Sequence, residues 1–198
     1  VLSSLVQPHF VVEGTGVDEP IRGMPGIHQQ SVDVLLQTVA EDLAHGLSAV
    51  MLFGVVASEH KDAAASHAHD SSSHLHRAVM ELQAEHGDNL VVMTDVCLCT
   101  ATDHGHCGLV HDGEIVNDPS IDVLVDIARS HGEAGADYVC ASDMMDGRVA
   151  AIRTAFETAG LTNTGILSYS VKYASSFYGP FRHACLLYTS DAADDVEC

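Results

Sequence analysis

A chain of 198 residues with 28 acidic and 8 basic side chains, a formal net charge of −20, presents a surface that repels phosphate backbones and anionic lipid, which argues against nucleic-acid and membrane partners. Hydrophobic residues make up 46% of it, enough for a sizeable core in one ordinary domain. The longest apolar run, Leu47 to Ala57, is too short to span a bilayer and no secretory pattern opens the chain, so a cytoplasmic location is expected; a first residue Val1 rather than Met implies a missing or processed start.

In chain order, Phe10 to Val12 reads as a short apolar strand, followed by the Gly- and Pro-rich stretch EGTGVDEPIRGMPG, whose residues favour turns. Ser31 caps a helix that carries Val32, Leu35, Leu36, Val39 and Leu43 on one face and ends at Gly46. Leu47 to Val56 is a strand without alternation, as expected when both faces are buried. The segment Ser58 to His76 holds five histidines among small and polar residues. It reads as a solvated, flexible connection, with a metal-collecting loop as the alternative. A second helix runs from about Ser73 to His86 and stops at Gly87, and Leu90 to Val96 is the next strand. Then come a cysteine-bearing loop, a helix from Ser120, a strand from Ala136 to Ser142, a helix from Asp146 to Ala159 closed by Gly160, and a fifth strand from Thr164 to Val171. Nearly five strand-then-helix units indicate a parallel sheet, for which an open doubly wound sheet and an eight-stranded barrel both qualify. No glycine-rich dinucleotide fingerprint follows any strand, whereas Asp95 with its cysteines, Ser142 with Asp143, and Lys172 follow three successive strands, which favours the barrel.

Six cysteines could make a disulfide framework, but three of them, Cys97, Cys99 and Cys107, cluster directly after one strand. Thiolates suit a soft divalent metal, and three protein ligands leave a fourth position for water or substrate; His104 or His106 is the alternative fourth ligand. Lys172 is one of only two lysines and ends an apolar strand, where an amine held among apolar groups has its charged form disfavoured and becomes a nucleophile. The plainer reading is a strand-end lysine that reaches solvent or pairs with an acid. Arg182 can grip a carboxylate through two parallel hydrogen bonds or serve as a surface charge; Asp95, Ser142 and Asp143 can bind an amino group or move protons, while Asp143 equally suits a helix cap.

Taken together, the stretches MPGIHQQSVD, TDVCLCTATDHGHCG, SDMMDGRVAAIR and SYSVKYASSFYGPFR resemble the porphobilinogen synthase (5-aminolevulinate dehydratase) family in content, order and separation. The resemblance implies an α/β fold, a TIM (β/α)8 barrel of the aldolase type of which about the first five units are present. It also implies condensation of two 5-aminolevulinate molecules to porphobilinogen with loss of two waters, in haem and tetrapyrrole biosynthesis. On matching positions, Lys172 corresponds to the Schiff-base lysine, Cys97, Cys99 and Cys107 to the ligands of a catalytic Zn2+, Asp95 and Asp143 to active-site acids, and Arg182 and Ser142 to substrate-binding residues. A homo-octamer and an allosteric Mg2+ held by residues outside these 198 are implied as well.

Two departures stand out: Cys140-Ala141 where the family has Ala-Pro, and His183 where it has an acid. The matching text covers residues 1–184, the expected barrel portion, and CLLYTSDAADDVEC from Cys185 reads as a non-native tail, residues 185–198. The family's second active-site lysine lies beyond this point, so the chain alone is expected to be inactive and prone to aggregate. A class I aldolase acting on another ketone gives the cysteines no role, and a non-catalytic zinc-binding fragment makes Lys172 incidental; these are the rival readings.

Overall fold

A computed structural model of the chain describes residues 2–170, 172–173 and 179–187. Its strands are β1 (Gln7–Val12), β2 (Asp18–Pro20), β3 (His28–Ser31), β4 (Ala49–Gly54), β5 (Val91–Val96), β6 (Leu109–His111), β7 (Glu114–Val116), β8 (Tyr138–Ala141) and β9 (Gly165–Ile166). Its helices are α1 (Val32–Ala44), α2 (His74–His86), α3 (Asn117–Glu133), α4 (Arg148–Ala159) and α5 (Gly179–Ala184). Seven strands form one sheet in the order β2-β3-β1-β4-β5-β8-β9, parallel throughout except for the antiparallel β2–β3 pair. Five of them, β1, β4, β5, β8 and β9, are the expected strand-then-helix units, and among the described residues the sheet does not close. No helix among the described residues is long and apolar enough to cross a membrane.

Local signals fixed most boundaries. Ser73 precedes α2 and its hydroxyl accepts from the His76 amide, while Gly87 ends the helix at φ 48°, in the left-handed region where a side chain is disfavoured. The fifth strand is shorter than expected: only Gly165–Ile166 is regular. The ladder nevertheless runs on, because Leu167 and Tyr169 donate to the Val139 and Ala141 carbonyls; Val171 lies outside the described residues. Helix α3 starts at Asn117, not Ser120. Pro119 suits its first turn, and the Ser120 hydroxyl is engaged within it, accepting from the Leu109 amide and donating to the Val116 carbonyl. Helix α4 starts at Arg148 because Gly147 sits at φ 87° and the Asp146 amide is taken by the Asn117 side chain.

Two strand pairs were not foreseen. Within the turn-rich stretch Asp18–Pro20 pairs with His28–Ser31, and β6 and β7 form a hairpin across Asp112-Gly113, both at positive φ, the geometry that Asp-Gly favours in two-residue turns.

Side chains alternate along the strands. Val50, Leu52, Val92, Val96 and Val139 point to the helices and are almost fully buried. With Leu35, Val39, Val79 and Leu82 on one flank and Leu124, Ile127, Ile152 and Phe156 on the other, they make two cores under α1–α2 and α3–α4. Each such aliphatic side chain contributes roughly 2 kcal/mol by leaving water. Met51, Phe53, Met93 and Asp95 occupy the alternate positions and are only half-buried, so these strands are not buried on both faces as the apolar run suggested. A smaller cluster, Phe10, Ile21, Val55, Ala184, Cys185 and Leu187, packs with Phe53 and Phe181 on that second face.

Candidate active site and metal centre

The second face leads to the carboxyl ends of the strands, where a cavity of about 190 Å³ is lined by Phe53, Asp95, Cys97, Cys99, Thr100, Cys107, Ser142, Tyr169, Lys172, Phe181, Cys185 and Leu187. Strand β5 delivers Asp95 and, just past its end, Cys97 and Cys99; the loop back from β6 supplies Cys107. The register that sets Asp95 opposite Cys140 brings the end of β8, with Ser142, beside them. Lys172 follows the β9 ladder and its Nζ donates to the Ser142 carbonyl at 2.6 Å. One amine and three thiols, far apart in sequence, thus share a wall.

The three sulfur atoms lie within 4.8 Å of one another. Hydrogen bonds from Cys107 and then Cys99 hold the Cys97 thiol well below its ordinary range, against the effect of burial. For Cys99 the Cys107 contact lowers the value, but its bond to Cys97, burial and the negative charges of Cys97 and Asp95 outweigh it and push the thiol well up. A buried trio in which thiolate is favoured at one sulfur and opposed at the next fits a divalent cation, which stabilises all three thiolates at once. His104 and His106 lean on each other, with the His106 amide donating to His104 Nδ1, and neither ring belongs to this group of donors.

Burial, and next the charge of Cys97, push the Asp95 carboxyl up to about 7, with Ser142 and Lys172 pulling back. Its Oδ1 is buried without a hydrogen-bond partner, a group aimed at a ligand. Asp143 is fully buried but does not line the cavity. Burial raises it to about 6, while the Met145 amide, donating to its Oδ1 at 2.8 Å, and Arg148, with Nε 3.3 Å away, oppose that rise. It shapes the turn into α4, yet the α4 N-cap is Gly147. Arg182 lies on α5; its neighbours Phe181 and Cys185 line the cavity and Arg182 does not.

Sequence reasoning missed several lining or bordering groups. Tyr169, whose hydroxyl burial pushes up to about 12, stood inside a strand with nothing to single it out. Phe53 and Phe181 form an aromatic wall with Phe10, ring centroids 5.1–6.0 Å apart. Lys61, set aside in a polar loop, is half-buried: its Nζ donates to the Leu186 carbonyl, burial lowers its amine, and Cys99 and Cys185 pull the other way. The available signal was that a chain with two lysines has both near one mouth. Cys185 and Leu187, from the stretch read as a tail, are buried against this wall; residues 188–198 lie outside the described residues.

A family model described as "Delta-aminolevulinic acid dehydratase" matches residues 1–194. The delta-aminolevulinic acid dehydratase of Methanothermobacter thermautotrophicus is 53% identical over 184 residues, 92% of this chain and 55% of that protein. The Bacillus subtilis protein of the same name is 44% identical over 182 residues, again 92% and 55%. Among solved structures, delta-aminolevulinic acid dehydratase (porphobilinogen synthase) from Toxoplasma gondii ME49, in complex with the reaction product porphobilinogen, superposes with a TM-score of 0.91 at 43% identity, covering 94% of this chain and 53% of that one. The chain therefore spans about half the length of these relatives.

Proposed function

This chain belongs to the delta-aminolevulinic acid dehydratase family, and from that premise we propose that it carries the Schiff-base lysine and metal ligands of a porphobilinogen synthase, a hydro-lyase that condenses two molecules of 5-aminolevulinate. The observation that carries the reading is Lys172 on the same cavity wall as Cys97, Cys99 and Cys107. Lys172 attacks the ketone carbon of one substrate: a C–N bond forms, the C–O bond breaks, and the oxygen departs as water with the two hydrogens of the neutral amine. The Ser142 carbonyl orients Nζ for that approach. Asp95, held near 7, can give a proton to the departing hydroxyl and take one back at neutral pH. Phe53, Phe181 and Tyr169 exclude water, which favours the imine over its hydrolysis.

Cys97, Cys99 and Cys107 would hold Zn2+, which when bound supplies a Lewis acid with an open position for a ketone oxygen or water. Ser142 and Arg182 are read as substrate-holding groups and Asp143 as a second acid acting from behind the Ser142 backbone. The reading extends to a cytoplasmic homo-oligomer, an octamer by the family resemblance, whose product enters haem and tetrapyrrole synthesis. Allosteric Mg2+ belongs to residues other than these.

Borohydride trapping tests the covalent step without requiring turnover. The chain is incubated with 5-aminolevulinate, reduced, digested and mapped by mass spectrometry. An adduct at Lys172 that disappears in Lys172→Gln is the expected result. An adduct at Lys61 instead, or zinc binding with no adduct, would overturn the assignment in favour of a metal-binding role alone.

A further inference from the structure

The histidine-rich segment is built into the fold. Asp62 accepts from the Ala64 and Ser66 amides and shapes a 3-10 turn, Ser66–His69, that presents His67. Ser73 caps α2 and sets His74 in its first residue, and Leu75 packs so close to Gly54 that a Cβ there would meet it at 3.1 Å. Glu13 follows directly on β1. A strand end and the histidine-rich stretch, remote from each other in sequence, thereby meet at one corner: Glu13 Oε1 lies 3.5 Å from His67 Nε2 and 3.7 Å from His74 Nδ1, and His60 Nε2 lies 3.8 Å from Glu13 Oε2. The three rings stack in sequence, His60 on His67 and His67 on His74.

These groups are gathered without being bonded. The His74 side chain is 4% exposed and its ring nitrogens have no side-chain partner at hydrogen-bonding geometry, with the Val11 backbone nearby; His67 Nε2 is buried and unpartnered too. Separations of 3.5–3.7 Å are too long for strong hydrogen bonds, but two donors about 2.0–2.1 Å from a tetrahedral zinc stand roughly 3.4 Å apart. Glu13, 47% exposed, leaves one side open to an incoming ion.

We propose that Glu13, His67 and His74 form a second divalent transition-metal site, separate from the cysteine trio, that pins the end of β1 to the entry of α2. Imidazole nitrogen with one carboxylate selects zinc, nickel or cobalt over magnesium or calcium. The site does not depend on the synthase reading.

The test uses the full chain, stripped with a chelator, reloaded with zinc and freed of excess. About two equivalents of zinc are expected. Cys97→Ser with Cys107→Ser should remove one, and Glu13→Gln with His67→Gln the other, each lost ligand weakening its own zinc by roughly a hundredfold. One equivalent in the unaltered chain, as for a plain network of Glu13–histidine ion pairs, overturns the proposal, as does a Glu13→Gln/His67→Gln variant that still holds two. Should that variant fail to fold, zinc-edge X-ray absorption on the double cysteine variant decides. A shell of nitrogen and oxygen with imidazole scattering supports the site; a shell without imidazole, or no zinc, sinks it.

Discussion

The thiol trio and the histidine–carboxylate corner lie at the same end of one sheet, both contribute to a small cavity that includes His67, His74, Asp95 and Cys97, and they are built in opposite ways. The trio comes from one loop, Cys97 to Cys107, so its donors are near one another even before folding. The corner takes His67 and His74 from one seven-residue stretch but its carboxylate, Glu13, from the end of β1, which only the folded sheet brings to them. Affinity at the first is mostly local, whereas at the second it is a by-product of tertiary structure. In denaturant, zinc should therefore stay with the cysteine loop and leave the histidine corner.

The largest effect that can break this contrast is at the trio. Cys97→Ser with Cys107→Ser is expected to lower zinc affinity there about ten-thousandfold, read by competition with a chromophoric chelator in both folded and unfolded chain; an affinity lost only in the folded chain would contradict a local site. Next comes the charge buried behind it. Arg148→Met leaves the Asp143 carboxylate, fully buried, without its cation, and should cost roughly 3–5 kcal/mol in urea unfolding at pH 7.

A smaller effect follows from His131, which lines the cavity shared by the two clusters and bonds Thr94 at 3.1 Å. Burial first, and then the nearby His76, hold this ring down to about 3 against an ordinary 6.5. The unfolded chain takes up a proton below pH 6.5 that the folded chain does not accept until about pH 3, so stability is full above pH 6.5 and falls on acidification through that window. The slope is about 1.4 kcal/mol per pH unit. His131→Gln should flatten it by that amount in unfolding curves taken between pH 6.5 and 4. The smallest effect is at the open corner: without metal, half-exposed Glu13→Gln should change stability by less than about 0.5 kcal/mol. A larger loss in the metal-free chain would mean that the corner is an ion-pair network.

What could be read in the sequence follows the same division. The Gly87 and Gly160 stops and the apolar strand centres are local signals, and the structure keeps them; Ser31 does sit at the N-cap of α1, but its hydroxyl bonds the Val17 amide and the Asp33 carboxylate instead of a helix amide. The thiol trio was legible for the same reason, as three ligand-type residues after one strand. Lys172 beside it was not local, and family resemblance supplied what spacing could not. Short exposed strands such as Asp18–Pro20 bury nothing and leave no periodicity, while Asp112-Gly113 was a hairpin signal that went unread. The histidine corner was half legible: His60, His67 and His74 recur every seven residues in the stretch for which a metal-collecting loop was the alternative reading, but nothing local pointed to Glu13 as their partner.

Strict alternation along β5 means that the mouth is set by parity. Odd-numbered residues from Val91 to Asp95 look toward the cavity face, and even-numbered Val92, Thr94 and Val96 go under the helices. Substitution can retune an individual position. Inserting or deleting one residue within the strand would instead aim the acid at α3, force Thr94 or Val96 into the cavity and carry the cysteine loop round with them. Length changes should be tolerated in the turn at Asp112-Gly113 and forbidden between Val91 and Val96.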